Sequence, residues 1–153
     1  MPEVITFYRI RDPYGCFSNF APYPVEIDGL VWPTTEHYYQ AQKFADPAYR
    51  ERIRLDKHPA SAKGLGNNRA VPIRPDWDEM RVEVMRKAVR AKLDQHPEVA
   101  ATLLGTGDAE LVEHSPKDPF WTDGGDGSGQ NIFGRLLMEL RAELRAGQIT
   151  PGA

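Results

Sequence analysis

The sequence predicts an α+β fold whose sheet lies largely near the N-terminus. Residues 5–8 and 25–32 have the apolar and β-branched character of strands, and beyond residue 35 apolar positions recur mainly at helical spacing. At 153 residues the chain can bury a core as one domain without metals or disulfides. The expected organisation is a single domain over residues 1–147 and a short flexible tail, 148–153.

Each element has its own local signal. Residues 25–32 fold as a hairpin around Asp28-Gly29, a favoured two-residue turn pair. Pro33-Thr34-Thr35 opens a helix over 35–44, because proline and threonine suit a first turn whose amides lack intrahelical partners. Asp46-Pro47 starts a second short helix through residue 55. Residues 61–65 read as a brief helical turn, broken by Gly64-Leu65-Gly66-Asn67-Asn68, and a loop runs on to Pro75. Over 76–95, Trp77, Met80, Val84, Ala88 and Ala91 recur at helical spacing opposite Arg, Lys and Glu, making this the main packing helix. A further helix over 97–104 stops at Gly105, residues 110–113 can form a short strand, and the last helix covers 132–145.

Composition narrows the function. Apolar residues make up 41% and charged residues 27%, as in soluble globular proteins, and nothing approaches a transmembrane span. Residues 1–8 lack both the basic start and the unbroken apolar run of a secretory signal, so a cytoplasmic location without a membrane partner is expected. The single Cys16 rules out an internal disulfide, and the scattered histidines show no ligand spacing, so neither a metal nor another cofactor is expected. With a net charge of −3 the molecule as a whole offers no electrostatic footprint for long nucleic acid, which leaves room for a local basic pocket.

Three stretches combine residue types that can do chemistry. In the first, Glu36, Gln40 and Lys43 are spaced by four and then three residues and so share one helical stripe. His37, Ala41 and Phe44 form the other stripe. Packing on that side would present Glu36 and Lys43 to a cavity or to water, and spacing alone favours an ordinary solvated face over catalysis. The second stretch, Phe120-Trp121-Thr122-Asp123-Gly124-Gly125-Asp126-Gly127-Ser128-Gly129-Gln130-Asn131, leads into an amphipathic helix. So many glycines suit a backbone that approaches a ligand closely, and the helix start would add free amides for phosphate. A flexible Asp/Gly surface loop capped by Asn131 accounts for the same residues equally well. The spacing is not that of an EF-hand, and no Lys-Ser/Thr pair follows the glycines as in a Walker loop.

The third stretch, Arg9-Ile10-Arg11-Asp12-Pro13-Tyr14-Gly15-Cys16-Phe17-Ser18-Asn19-Phe20, mixes arginine, aromatics and small hydrogen-bonding residues. That mixture suits a planar base stacked on a ring. For Tyr14, Phe17 or Phe20 taken singly, a place in the core is the stronger reading. Lys63, Arg69 and Arg74 around the Gly/Asn loop offer anion contacts or simply solvated charge.

Taken together, Phe17-Ser18-Asn19-Phe20, Trp32-Pro33-Thr34-Thr35-Glu36-His37-Tyr38-Tyr39-Gln40-Ala41-Gln42-Lys43-Phe44, and Trp121 through Gly134 followed by Leu137-Met138-Glu139-Leu140-Arg141 resemble the NADAR superfamily of YbiA-like N-glycosidases. The resemblance runs in order from Phe7 to Arg141. It implies a compact, mostly helical α+β domain with a small N-terminal sheet, acting at the anomeric carbon of a phosphorylated ribose. Two substrate classes are implied: ribosylaminopyrimidinone 5′-phosphates of the riboflavin pathway, and ADP-ribose on guanine in nucleic acid, whose removal reverses ADP-ribosylation.

Carried over to this chain, the resemblance makes Glu36 the general acid or base and Lys43 its partner. In members that remove ADP-ribose, the matching lysine attacks C1′ and forms a Schiff base. Asp123 or Asp126 would polarise water or hold ribose hydroxyls, Trp121 would wall the base, and Asn131 with the amides around Gly127 and Gly129 would hold phosphate. Arg9, Ser18, Asn19, Phe20 and Gln40 complete the implied ligand contacts. Close relatives carry Arg after the glycine matching Gly66; here Asn67 stands there, and the anion contact passes to Arg69. An acidic chain mildly favours a small metabolite as substrate. The competing function is a non-catalytic module that binds ADP-ribose or NAD through the glycine loop and the aromatics.

Overall fold

The computed structural model describes residues 3–152. Met1 and Pro2, at the start of the segment read for a secretory signal, and Ala153, at the end of the expected tail, lie outside the described residues. The described elements are β1 (Val4–Phe7), a 3₁₀ turn (Gly15–Phe17), β2 (Val25–Ile27), β3 (Leu30–Trp32), α1 (Thr35–Ala41), α2 (Pro47–Arg54), α3 (Pro59–Gly66), α4 (Trp77–Gln95), α5 (Pro97–Gly105), β4 (Glu110–Glu113) and α6 (Ile132–Arg145). The fold is α+β and mostly helical. Among the described residues no helix is long and apolar enough to cross a membrane.

The four strands among the described residues form two pairs. β2 and β3 make the antiparallel hairpin, with Val25 opposite Trp32, and the turn holds Asp28 at φ 55° and Gly29 at φ 82°. Both angles are left-handed, as a two-residue turn matched to strand twist requires. β1 pairs in parallel with β4, Val4 with Glu110 through Phe7 with Glu113. The strand at 110–113 is therefore the partner that closes the first sheet. No local pattern announces a pairing between segments so far apart in the chain.

Pro22–Lys92 forms one compact unit, and the residues flanking it form a second, the division falling inside α4. In the first unit α1 packs on α2, α3 and β3. Its aromatic core includes Trp32 edge-on to Tyr38 at 5.4 Å, Tyr39 tilted on Trp77 at 5.1 Å, and Phe44 edge-on to Tyr49 at 4.7 Å. Thr34 caps α1 by accepting from the His37 amide at 3.2 Å. His37 is fully buried, with Nε2 2.9 Å from the Asp56 carbonyl and Nδ1 2.8 Å from the Thr34 hydroxyl. A carbonyl only accepts, so Nε2 carries a proton. Burial holds its pKa below the ordinary 6.5, against the opposing pull of the Asp56 carbonyl and carboxylate.

Three helices differ from the sequence reading. α1 ends at Ala41 rather than continuing to residue 44, because Lys43 and Phe44 turn back to the carbonyls of Gln40 and Ala41. α3 begins at Pro59 and absorbs both Gly64 and Gly66, with Asn67 as its C-cap. The buried stripe of α4 runs through Trp77, Val84, Met85, Ala88, Val89, Lys92 and Leu93, with Met80 and Ala91 only half-buried. Lys92 enters that stripe by laying its ammonium over the Tyr23 ring, 5.3 Å from the centroid.

The second unit is built on β1, β4, α5 and α6. Phe7 meets Phe17 at 5.5 Å and Phe133 at 6.0 Å, both edge-on, and Leu103, Leu111, Leu136, Leu137 and Leu140 are buried. Phe17 is thus core, as the more conservative reading had it. Within the expected tail, Ile149 is buried and the Gly152 amide donates to the Asp94 carbonyl at 2.7 Å.

Candidate active site

All seven residues of α1 are buried, which removes the solvated-face reading of its polar stripe. Glu36 is 7% exposed, Gln40 3% and Lys43 6%. A surface ion pair would leave these groups in water, whereas here they are withdrawn from it at a real cost. Gln40 Nε2 donates to Glu36 Oε2 at 2.5 Å, one helical turn away. Its other amide atom, Oε1, is buried without a hydrogen-bond partner among the described residues. The amide lies so close to Gly66 that a Cβ there would stand 2.0 Å from Oε1. Glycine inside a helix costs entropy, and here it makes room for that side chain.

Lys43 lies on the turn after α1 and reaches the end of α3. Its Nζ donates to the Gly66 carbonyl at 3.4 Å and to Asn67 Oδ1 at 3.3 Å, and stands 5.9 Å from the centroid of the Tyr39 ring. Arg69 Nη1 donates to the same Gly66 carbonyl at 3.3 Å. The C-terminal carbonyls of a helix carry partial negative charge, so α3 gathers both cations. Asn67, where the family resemblance implied Arg, is a partner of Lys43. Arg74 is held by Asp76 through two bonds, at 2.5 and 2.8 Å, and Lys63 is half-buried on α3. Thus Glu36, Gln40, Lys43 and Arg69 meet around Gly66, although sequence reading had singled out neither Gly66 nor Asn67 as a site residue.

The glycine loop of the second unit is bonded to itself. The amides of Gly129, Gln130, Asn131, Ile132 and Phe133 donate to the carbonyls of Asp123, Pro119, Thr122, Phe120 and Trp121, at 2.7 to 3.1 Å. At the start of α6 the amides of Ile132 and Phe133 are therefore taken up within the loop. Gly129 serves close packing of the loop, since a Cβ would stand 2.3 Å from the Thr122 carbonyl oxygen; Gly127 faces open space at φ +87°. Asn131 sits at φ 50°, and its side chain accepts from the Glu113 amide at 3.1 Å and donates to the Leu111 carbonyl at 2.9 Å. Its side chain ties β4 to the start of α6.

Asp123 accepts from the Ser115 and Gly125 amides on Oδ1, at 3.1 and 2.8 Å, and lies 2.7 Å from His114 Nδ1 through Oδ2. Burial works against its ionisation, but His114 and the two amides together hold its pKa below the ordinary 3.8. The carboxylate orients the exposed His114, a residue the sequence reading passed over because it stands alone in the chain. Asp126 is exposed and turned back on Ser128, which donates through both amide and hydroxyl, at 3.0 and 2.6 Å, and lowers its pKa. Trp121 is half-buried, edge-on to Phe120 at 5.1 Å.

In the loop after β1, Ser18 is buried and its hydroxyl accepts from the Phe20 amide at 3.1 Å, a local turn contact. Asn19 and Phe20 are half-buried, and the Arg9 side chain is exposed. Gly15 packs against the Ile10 carbonyl, where a Cβ would stand 1.8 Å from the oxygen.

A buried carboxylate bonded by an amide, with a buried amine about two turns further on, is an arrangement suited to proton transfer and nucleophilic attack. The NADAR domain model matches residues 6–145, and the chain belongs to that family. It is 53% identical over 141 residues to N-glycosidase YbiA of Shigella boydii, covering 92% of this chain and 88% of that protein. It is also 46% identical over 145 residues to a riboflavin biosynthesis protein of Vibrio vulnificus, covering 95% of this chain and 40% of that one. The NMR structure of the E. coli protein YbiA matches with a TM-score of 0.90 at 49% identity, covering all of this chain and 92% of that one.

Proposed function

We propose that this N-glycosidase, a hydrolase of N-glycosyl bonds, acts on a ribosylaminopyrimidinone 5′-phosphate of the riboflavin pathway, releasing the free base and ribose 5-phosphate. The observation that carries the reading is the buried Glu36 carboxylate, placed beside an amide donor, with Lys43 buried about two turns further along the chain. The name of the Vibrio vulnificus relative supports the substrate class.

In this reading Lys43 Nζ, as the free amine, forms a bond to C1′ while the bond from C1′ to the base nitrogen breaks. Glu36 takes the proton that the attacking amine loses and hands it to the departing nitrogen, so one proton serves both halves of the step. Opening of the sugar ring leaves an imine at C1′. Water then hydrolyses it, returning the lysine amine and freeing ribose 5-phosphate. Arg69, exposed at the end of α3, is assigned to the substrate phosphate.

The test is incubation of wild type, Glu36→Gln and Lys43→Ala with the pyrimidinone riboside phosphate and, in parallel, with an ADP-ribosylated guanine oligonucleotide, products being followed by mass spectrometry. Ribose 5-phosphate from the first substrate, lost in both variants, supports the proposal. Release from the oligonucleotide alone replaces it with reversal of ADP-ribosylation, and tight ADP-ribose binding without turnover replaces it with the binding module. Borohydride should fix a sugar adduct on wild type and not on Lys43→Ala; turnover with no adduct removes the imine.

A further inference from the structure

We infer that Gln40 is a positioning residue that holds Glu36 ionised and oriented before the reaction begins. The inference rests on the role proposed for Glu36 and deepens it, by deciding that the carboxyl group enters the cycle as a base. Gln40 Nε2 donates to Glu36 Oε2 at 2.5 Å inside the protein, and an N–H donor stabilises the carboxylate over the carboxylic acid. The direction of that bond matters. Had the amide pointed the other way, its carbonyl oxygen would accept a proton from Glu36 and favour the acid.

Two further observations show that this amide is set for the carboxylate. Oε1 of Gln40 has no hydrogen-bond partner among the described residues although the side chain is 3% exposed, so no bond to that oxygen helps to hold the amide. A buried acceptor without a donor costs stability, and a side chain selected for packing alone would be apolar here. Gly66 gives up its side chain to the same amide, since any Cβ would collide with Oε1 and Cδ, at 2.0 and 2.7 Å. Two sequence positions are thus arranged around one bond to Glu36.

The carboxylate is then ready to take the proton from the amine that attacks C1′ and to pass it to the leaving nitrogen. Other titratable groups surround α1. They include His37, Tyr38 and Tyr39 on the helix, Lys43 on the following turn, Tyr49, Arg50, Glu51, Arg52 and Arg54 on α2, Lys63 on α3, Asp56 against His37, and Asp28 and Lys87 acting on Tyr38. All are unchanged when Gln40 alone is replaced, so a change in Glu36 titration reports the amide.

The experiment follows the side-chain carboxyl carbon of Glu36 by ¹³C NMR across pH, its signal identified by its absence in Glu36→Gln, in wild type, Gln40→Met and Gln40→Glu. Gln40→Met keeps the volume and removes the donor, and its Glu36 midpoint should rise by about one pH unit or more. Gln40→Glu places two carboxyls together and should give one midpoint raised further. Circular dichroism checks that each variant is folded, and the second serves if the first is not. An unchanged midpoint in a folded variant overturns the inference whether or not the enzyme turns over any riboside. The readout does not use the substrate, so a wrong substrate assignment leaves it standing. Where turnover is measured, the acidic limb of kcat/KM should move upward with the NMR midpoint.

Discussion

The helix Thr35–Ala41 and the loop between Asp123 and Asn131 are both rich in polar side chains, and they use them in opposite ways. In and just beyond the helix, Glu36, Gln40 and Lys43 are buried, and one amide oxygen has no donor among the described residues. In the loop, Asp123 takes two amides and a histidine, Asp126 takes Ser128, and Asn131 binds the backbone of β4. The loop uses these polar groups to hold its own shape. The helix keeps polar groups where apolar ones would be more stable, and such a cost is retained where the groups have another use.

The largest effect should come from the helix. Glu36→Gln should lower kcat/KM on an N-ribosyl substrate by roughly 100-fold or more, the scale of positioned acid–base catalysis, with a urea unfolding midpoint near that of wild type. A variant that turns over normally would make Glu36 as architectural as the loop. Next, Gly129→Ala should cost about 1–3 kcal/mol in denaturant unfolding, because the new Cβ meets the Thr122 carbonyl oxygen at 2.3 Å. Gly127→Ala, strained only by its positive φ, should cost about 1 kcal/mol. Equal losses for the two would contradict a self-packed loop.

Asn131→Ala sharpens the contrast further. It breaks both bonds to β4 and should cost about 1–2 kcal/mol while leaving KM for a phosphorylated substrate unchanged. Unchanged stability with a raised KM would return Asn131 to the ligand.

Acid should separate the two regions by pH. Both His37 and Asp123 have folded pKa values below their ordinary ones, so each contributes stability that is complete above the unfolded value and lost as pH falls through the folded one. For His37 the loss begins below the ordinary 6.5, and for Asp123 only below 3.8. Urea midpoints taken between about pH 7.5 and about pH 5.5 should therefore fall, with His37→Gln flattening the slope. A slope that survives in that variant assigns the loss to other groups. The smallest effect is Asp126→Asn, which should leave the unfolding midpoint within error, since the carboxylate is exposed and bonds only its near neighbour.

Much of the frame was legible along the chain. The Asp28-Gly29 hairpin, the Thr34 cap, the Asp46-Pro47 start and the long helices all arise from interactions within a few residues, which sequence spacing encodes directly. The same spacing put Glu36, Gln40 and Lys43 on one stripe but could not say what lay against it. The glycines were harder still, because a glycine that admits a ligand and one that admits its own loop look alike in sequence.

By itself the sequence determined the α+β class, most helix positions and, through its long Trp-Pro-Thr-Thr-Glu-His-Tyr string, the family resemblance. Only the tertiary structure decided that β4 pairs with β1, that the polar stripe of α1 is buried, that Gln40 bonds Glu36 beside Gly66, and that the glycine loop holds itself. The physical reason is range. Turns, caps and periodicity are set by neighbours in the chain, whereas burial and the partner of each polar group depend on segments that meet only when the chain is folded.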